Sequence, residues 1–209
     1  MIDEEEARAD EAWTQLVDAE IEYFKSERVN DALRGTSNAV RRIYGALDEA
    51  RRQISVSPTA AQVFAASASE MVQRKLLFEP ILAGVVHSSF AVRIVLDATG
   101  RLPKDQLHKL LTRLLLPLFS LDLSKQFRAG ASAQILTEAG EVAKVRDAIM
   151  HHGNVATNDQ AALAIAVAEH LLEVFDMLLS KYYLIRRKPG EHAGFLPDDL
   201  LVRNFNVPR

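Results

Sequence analysis

Residues 159–185 carry apolar side chains nearly all the way round a helix: Leu163, Ile165, Val167, Leu171, Leu172, Val174, Phe175, Leu178 and Leu179. A helix with no wet face has to be wrapped by others, either in the centre of a bundle or at a subunit interface. The rest of the chain has the composition to do the wrapping. Ala and Leu, both strong helix formers, account for 56 of 209 residues, whereas 9 Gly and 7 Pro are too few for the turns of a β-sandwich. The expected fold class is therefore all-α, a helical bundle with an additional N-terminal helical hairpin. The length allows a core that needs no staple. The absence of cysteine excludes a disulfide framework, a thiolate zinc site and a cysteine nucleophile.

Periodicity and turn residues divide the chain. An apolar stripe through Trp13, Leu16, Val17, Ile21 and Phe24 predicts a helix over 3–27, and Gly35-Thr36-Ser37-Asn38 breaks it. A second helix is expected over 39–54, with Val40, Ile43, Tyr44 and Leu47 on one side and the arginine pairs 41–42 and 51–52 largely on the other. Ser57-Pro58 reads as an N-cap followed by Pro at the first helical position. The helical stretch from 58 to 98 should be kinked or divided at Pro80 and stopped by Gly100. Pro103 opens a helix to Leu116, where Pro117 interrupts, residues 118–128 read as helical, and Gly130 closes them. After a connection over 129–137, a helix from Glu138 or Glu141 to His152 stops at Gly153, and Asn158 serves as N-cap of the last one. The expected segments are a hairpin extension over 1–56, a bundle over 57–187 and a short tail over 188–209; no long Gly/Ser linker follows residue 56, so one folded unit formed by the first two is the open alternative.

Charge is unevenly spread. The formal net charge is −3, yet residues 1–31 hold 11 acids and three bases, so the remainder sums to +5. Residues 101–131 hold six bases and two acids, and Arg186-Arg187-Lys188 follows the last apolar run. Such clusters ordinarily solvate helix faces; the alternative is a nucleic-acid surface using Arg113, Lys125, Arg128, Arg186, Arg187 and Lys188. The acidic start lacks the character of a signal peptide, and charges at Glu79, Arg93, Glu169 and His170 cut every apolar stretch short of a membrane span. A cytoplasmic protein with no membrane contact is expected.

Phosphate-binding and nucleophile-elbow motifs are missing, as is HExxH. A single acid-x-x-His, Asp105 to His108, falls short of the two pairs a di-iron bundle uses, so neither metal nor cofactor is expected. The chemistry concentrates in Val145-Arg146-Asp147-Ala148-Ile149-Met150-His151-His152-Gly153-Asn154. Asp147 and His151 share a helix face, so the carboxylate could accept a ring N–H and fix the tautomer, with His152 in support. Arg146 and His151 are about 140° apart around an ideal helix and converge only if both face a shared cleft. A guanidinium that binds phosphate bidentately and a histidine that moves protons suit phosphodiester chemistry. Plain structural roles near a helix C-terminus are the competing reading.

This segment resembles the HEPN family, small helical domains marked by Arg-polar-x3-His near a helix end, here Arg146-Asp147-Ala148-Ile149-Met150-His151. The resemblance takes in residues 57–185, including the long apolar helix that follows the motif. It implies a metal-independent endoribonuclease of a toxin–antitoxin, phage-defence or RNA-processing system, acting as a homodimer in which two motifs meet in one cleft. Arg146 would then bind phosphate, His151 would be the catalytic histidine and Asp147 the orienting polar residue. RNA would be the substrate, and an antitoxin or other protein a further partner. Gly153 stands where one toxin branch of the family carries a tyrosine, and residues 1–56 have no counterpart. The alternative is a non-catalytic helical module for dimerisation or protein interaction.

Overall fold

The computed structural model describes residues 36–85, Val95 and 104–182. The helix expected over 3–27, the stop at Gly100, the opening at Pro103 and the basic triplet 186–188 lie outside these residues. What is described is helical, with no strand among the described residues beyond an isolated antiparallel bridge between Phe127 and Gln134.

Helix α1 spans Ser37–Gln53 and buries Val40, Ile43, Leu47 and Ala50 along one stripe, leaving Arg41, Arg42, Arg51 and Arg52 exposed on the other side. Helix α2 spans Pro58–Met71, and the Ser57 hydroxyl caps it by accepting from the Ala60 N–H at 3.3 Å. It runs on through a π-helical segment, Val72–Phe78, into α3, Glu79–Val85. This is how the chain accommodates Pro80. The ring removes an N–H and crowds the carbonyl one turn back, and the widened turn just before it relieves both.

Helix α4 spans Lys104–Phe119 and buries Leu107, Leu111 and Leu115. Pro117 lies inside it, so the expected interruption there does not occur: the ring falls in the last turn, where little helix remains to be broken. The stop comes at Ser120, held at a φ of +50°, after which the Leu121 N–H reaches back to the Leu115 carbonyl at 3.3 Å. The helix expected over 118–128 is also corrected. That stretch holds one short 3₁₀ turn, Leu123–Lys125, begun by Asp122, whose carboxylate accepts from the Ser124 N–H.

Helix α5 begins at Ile135, earlier than expected, and spans Ile135–His152. The apolar pair Ile135 and Leu136 is buried, which draws the first turn into the core. Gly153 ends α5 in the left-handed region, as its position predicts. The expected N-cap Asn158 instead starts α6, Asn158–Tyr182. Thr157 does the capping: its hydroxyl accepts from the Gln160 N–H, and the Gln160 side chain returns to the Thr157 N–H, a reciprocal pair that leaves Asn158 nothing to cap.

Helix α6 packs against α1, α2, α5 and the π-helical segment, which satisfies its all-round apolar surface within one chain. The core does not divide at residue 56. Ile43 and Leu47 belong to the same buried cluster as Leu76, Leu111, Ile135, Leu171 and Phe175, and each fully buried side chain of this size stabilises by about 1.5–3 kcal/mol. Arg51 adds a link from α1 to Glu169 of α6 at 2.7 Å. Gln62, fully buried on α2, donates to the Val142 carbonyl at 3.0 Å and so pins α5 one turn before Arg146.

Candidate functional site

Arg146 continues the core-facing stripe of α5 that runs through Ala139, Val142 and Ala143. Its guanidinium turns toward α2, with Nη2 3.3 Å from Glu70 Oε2. Nε lies 3.0 Å from Asp147 Oδ1 but off the hydrogen-bonding direction, so this buried N–H has no hydrogen-bond partner. Asp147 also takes Lys104 Nζ at 3.3 Å from the start of α4. The carboxylate expected to orient His151 thus bridges two cations instead. The physical reason is competition: permanent positive charges attract it more strongly than a neutral ring N–H.

His151 and His152 occupy the last turn of α5, both exposed. The angle of about 140° between positions 146 and 151 is realised in full, since Arg146 is on the core side of the helix and His151 on the solvent side. His151 lines neither of the two cavities that lie around Arg146 and Asp147 among the described residues.

The imidazole that does share a cavity with Arg146 is His108 of α4. Both line a chamber of about 10 Å³, room for a single water, together with Ser69, Glu70, Gln73 and Lys104. His108 Nε2 lies 2.7 Å from Gln73 Oε1. The Gln73 amide nitrogen donates to the Ser69 carbonyl and hydroxyl, at 3.3 and 3.2 Å. The amide oxygen therefore faces the ring, Nε2 carries the proton, and Nδ1 keeps a lone pair. Burial holds the His108 pKa below the ordinary 6.5, with Asp105 opposing and Lys104 reinforcing the shift. Ser69 and Gln73 are themselves buried, and Gln73 sits on the π-helical segment.

Outward from the chamber lies an open groove of about 650 Å³, lined from the α4 side by Lys104, Asp105 and His108 and from the α5 side by Glu141, Lys144 and Asp147. Around Arg146, three permanent cations (Arg74, Lys104, Arg146) face two carboxylates, Glu70 and Asp147.

Of the residues proposed from sequence for RNA contact, Arg186, Arg187 and Lys188 lie outside the described residues, and the other three are placed elsewhere. Arg113 is exposed on α4, and Lys125 is exposed beside Asp122. Arg128 is turned into Glu138. None of the three lines the chamber or the groove. Among the described residues no group of three or more His, Asp or Glu is arranged to hold a metal ion, and no helix is long and apolar enough to cross a membrane.

Glu70, Gln73, Lys104 and His108 are site residues that the sequence reading did not single out as such. One signal for them is present. Gln62, Ser69 and Gln73 are polar residues in core register on an otherwise apolar helix face, and such positions need a partner. No family model matches the chain, and no curated protein or solved structure matches it.

Proposed function

We propose that the chain is a HEPN-type, metal-independent endoribonuclease working as a homodimer on RNA in a toxin, phage-defence or RNA-processing setting. The observation that supports this reading is the division of one helix. Arg146 lies on the inner face of α5, paired with Glu70 and Asp147, and His151 stands exposed on its outer face at the last turn. A two-fold pairing in which the last turn of α5 of one copy reaches the partly exposed Arg146 of the other would set that histidine beside that arginine. There Arg146 holds the phosphodiester, and His151 takes the 2′-hydroxyl proton as O2′ bonds to phosphorus and the P–O5′ bond breaks; water supplies the proton to the leaving oxygen, and the imidazolium returns one to solvent.

The test is RNA cleavage in EDTA by the wild type, Arg146→Ala and His151→Ala, alone and mixed. Each variant alone should be inactive. A re-equilibrated mixture should regain about a quarter of wild-type activity, because half the dimers then carry one intact composite site. Full activity in His151→Ala would overturn the reading.

A second reading, a non-catalytic dimerisation or protein-interaction module, is favoured by a separate observation. Glu70 and Asp147 already neutralise much of Arg146, while Met150, Val155 and Val56 are left exposed. That reading predicts self-association without cleavage.

A further inference from the structure

We propose that the chamber between α2, α4 and α5 is a hydration site: it holds one internal water molecule, which accepts hydrogen bonds from the Ser69 hydroxyl and Arg146 Nε and donates to the Glu70 carboxylate. The site rests on neither the dimer nor RNA, and it gives Ser69 a role that packing alone does not.

Three observations carry it. First, the room matches: a chamber of about 10 Å³ takes one water and no larger solute. Second, two buried donors on chamber-lining residues have no acceptor among the described residues. One is Arg146 Nε, whose nearest carboxylate oxygen, Asp147 Oδ1, lies off the hydrogen-bonding direction. The other is the Ser69 hydroxyl. Its oxygen accepts from Gln73 Nε2 at 3.2 Å, but no described residue accepts its proton. Two residues earlier, Ser67 shows the usual solution, donating to the Val63 carbonyl one turn back at 2.8 Å. Ser69, buried in the same helix, makes no such bond, and buried donors are ordinarily paired with protein or with ordered water. Third, an acceptor is at hand. Glu70 lines the same chamber, with Oε1 on Arg74 Nε at 3.2 Å and Oε2 facing Arg146 Nη2 at 3.3 Å. A carboxylate has about four lone-pair sites, so it can take a water proton as well. Three partners is the usual number for an internal water.

A halide ion is the competing occupant, because Arg74, Lys104 and Arg146 outnumber Glu70 on the chamber wall. Glu70 decides between the two. It repels an anion at hydrogen-bond range, whereas water turns a proton to the carboxylate and its lone pairs to the two donors. With the water in place, the relay from His108 through Gln73 to Ser69 continues to Arg146. One connected network then joins α4, the π-helical segment, α2 and α5. Alanine at position 69 would pack in the same wall but would break that connection.

The test is dipolar transfer between water and the arginine Hε protons of the full ¹⁵N-labelled chain, followed by NMR. Arg146 Hε should show a water cross-peak of opposite sign in the laboratory and rotating frames, the mark of a water that stays in place. Hε of the exposed Arg52 should show no such signal. Ser69→Ala removes one anchor and should speed exchange of the Arg146 Hε proton with solvent several-fold. Ala143→Val adds methyl groups to a residue of the chamber wall and should abolish the cross-peak. Addition of sodium chloride should leave the Arg146 Hε resonance in place. Thermal unfolding confirms the fold of each variant, and the wild-type spectrum decides the proposal by itself if one of them does not fold. Absence of the wild-type cross-peak, its survival in folded Ala143→Val, or a saturable movement of the Arg146 Hε resonance with chloride would overturn the water. Unchanged exchange in Ser69→Ala would overturn the anchoring role of that hydroxyl.

Discussion

Arg128 grips Glu138 with two N–H groups, Nε 3.3 Å from Oε2 and Nη2 3.1 Å from Oε1, and the carboxylate is buried while the guanidinium is partly exposed. Glu138 lies in the first turn of α5, where the helix dipole also favours a negative charge. Arg128→Ala leaves that carboxylate desolvated and unpaired, and should cost about 3 kcal/mol in urea unfolding. Arg113→Ala and Lys125→Ala, exposed and uninvolved in the core, should stay within about 0.5 kcal/mol of wild type. Equal stability of all three variants would show the pair to be incidental.

Glu70 competes with any anion for Arg146. Glu70→Gln removes one of the two carboxylates facing Arg74, Lys104 and Arg146, so affinity for an oligoribonucleotide at low salt should rise several-fold and become more salt-sensitive. The ion pairs it gives up are partly exposed and should cost no more than about 1 kcal/mol in thermal unfolding. Unchanged or weaker RNA binding would remove Arg146 from the binding surface.

Asp176 on α6 titrates upward, to about 6, because burial penalises its charge and Glu173 lies nearby. The folded chain therefore holds a proton between 3.8 and about 6 that the unfolded chain has released. Its contribution to stability is full below 3.8, falls as pH rises through about 6, and is absent above that. With allowance for partial exposure, Asp176→Asn should stabilise at pH 7.5 by about 1–2 kcal/mol and be near neutral at pH 4. Urea unfolding at the two pH values checks the slope.

Ser120 is the one non-glycine residue at positive φ among the described residues. Ser120→Gly relieves that conformation at the end of α4, at the cost of a more flexible unfolded chain, and should stabilise by about 0.5 kcal/mol. Gly153→Ala at the end of α5, with a φ of +67°, should destabilise by about 1 kcal/mol. Both shifts are readable from thermal unfolding.

Where one physical effect dominates, the sequence was legible. The stripe of Val40, Ile43 and Leu47, the Ser57 cap, the Gly153 stop and the burial of α6 each follow from periodicity or turn chemistry. Where effects compete locally, it was not. Residues 118–128 have helical composition, but the αL residue at 120 and the Asp122–Ser124 turn redirect the chain. Thr157 outcompetes Asn158 as cap because Gln160 stands three residues on to complete the reciprocal pair. The motif helix and the spread of Arg146 and His151 around it were foreseeable from spacing alone. The pairing of Arg146 with Glu70 and its proximity to His108 were not, because they join α2, α4 and α5 across separations of 38 residues or more that no local pattern encodes.

The widened turn at Val72–Phe78 also sets the phase between two halves of a single rod. Ala65 and Ala68 before it and Ile81 and Leu82 after it all face the core. Removing one residue from that segment would rotate one half against the other by about 100°. Gln73 or the Ile81–Leu82 pair would then have to leave its present register, so a chain shortened there could keep its helices and its composition while losing alignment between the imidazole relay and the apolar interior.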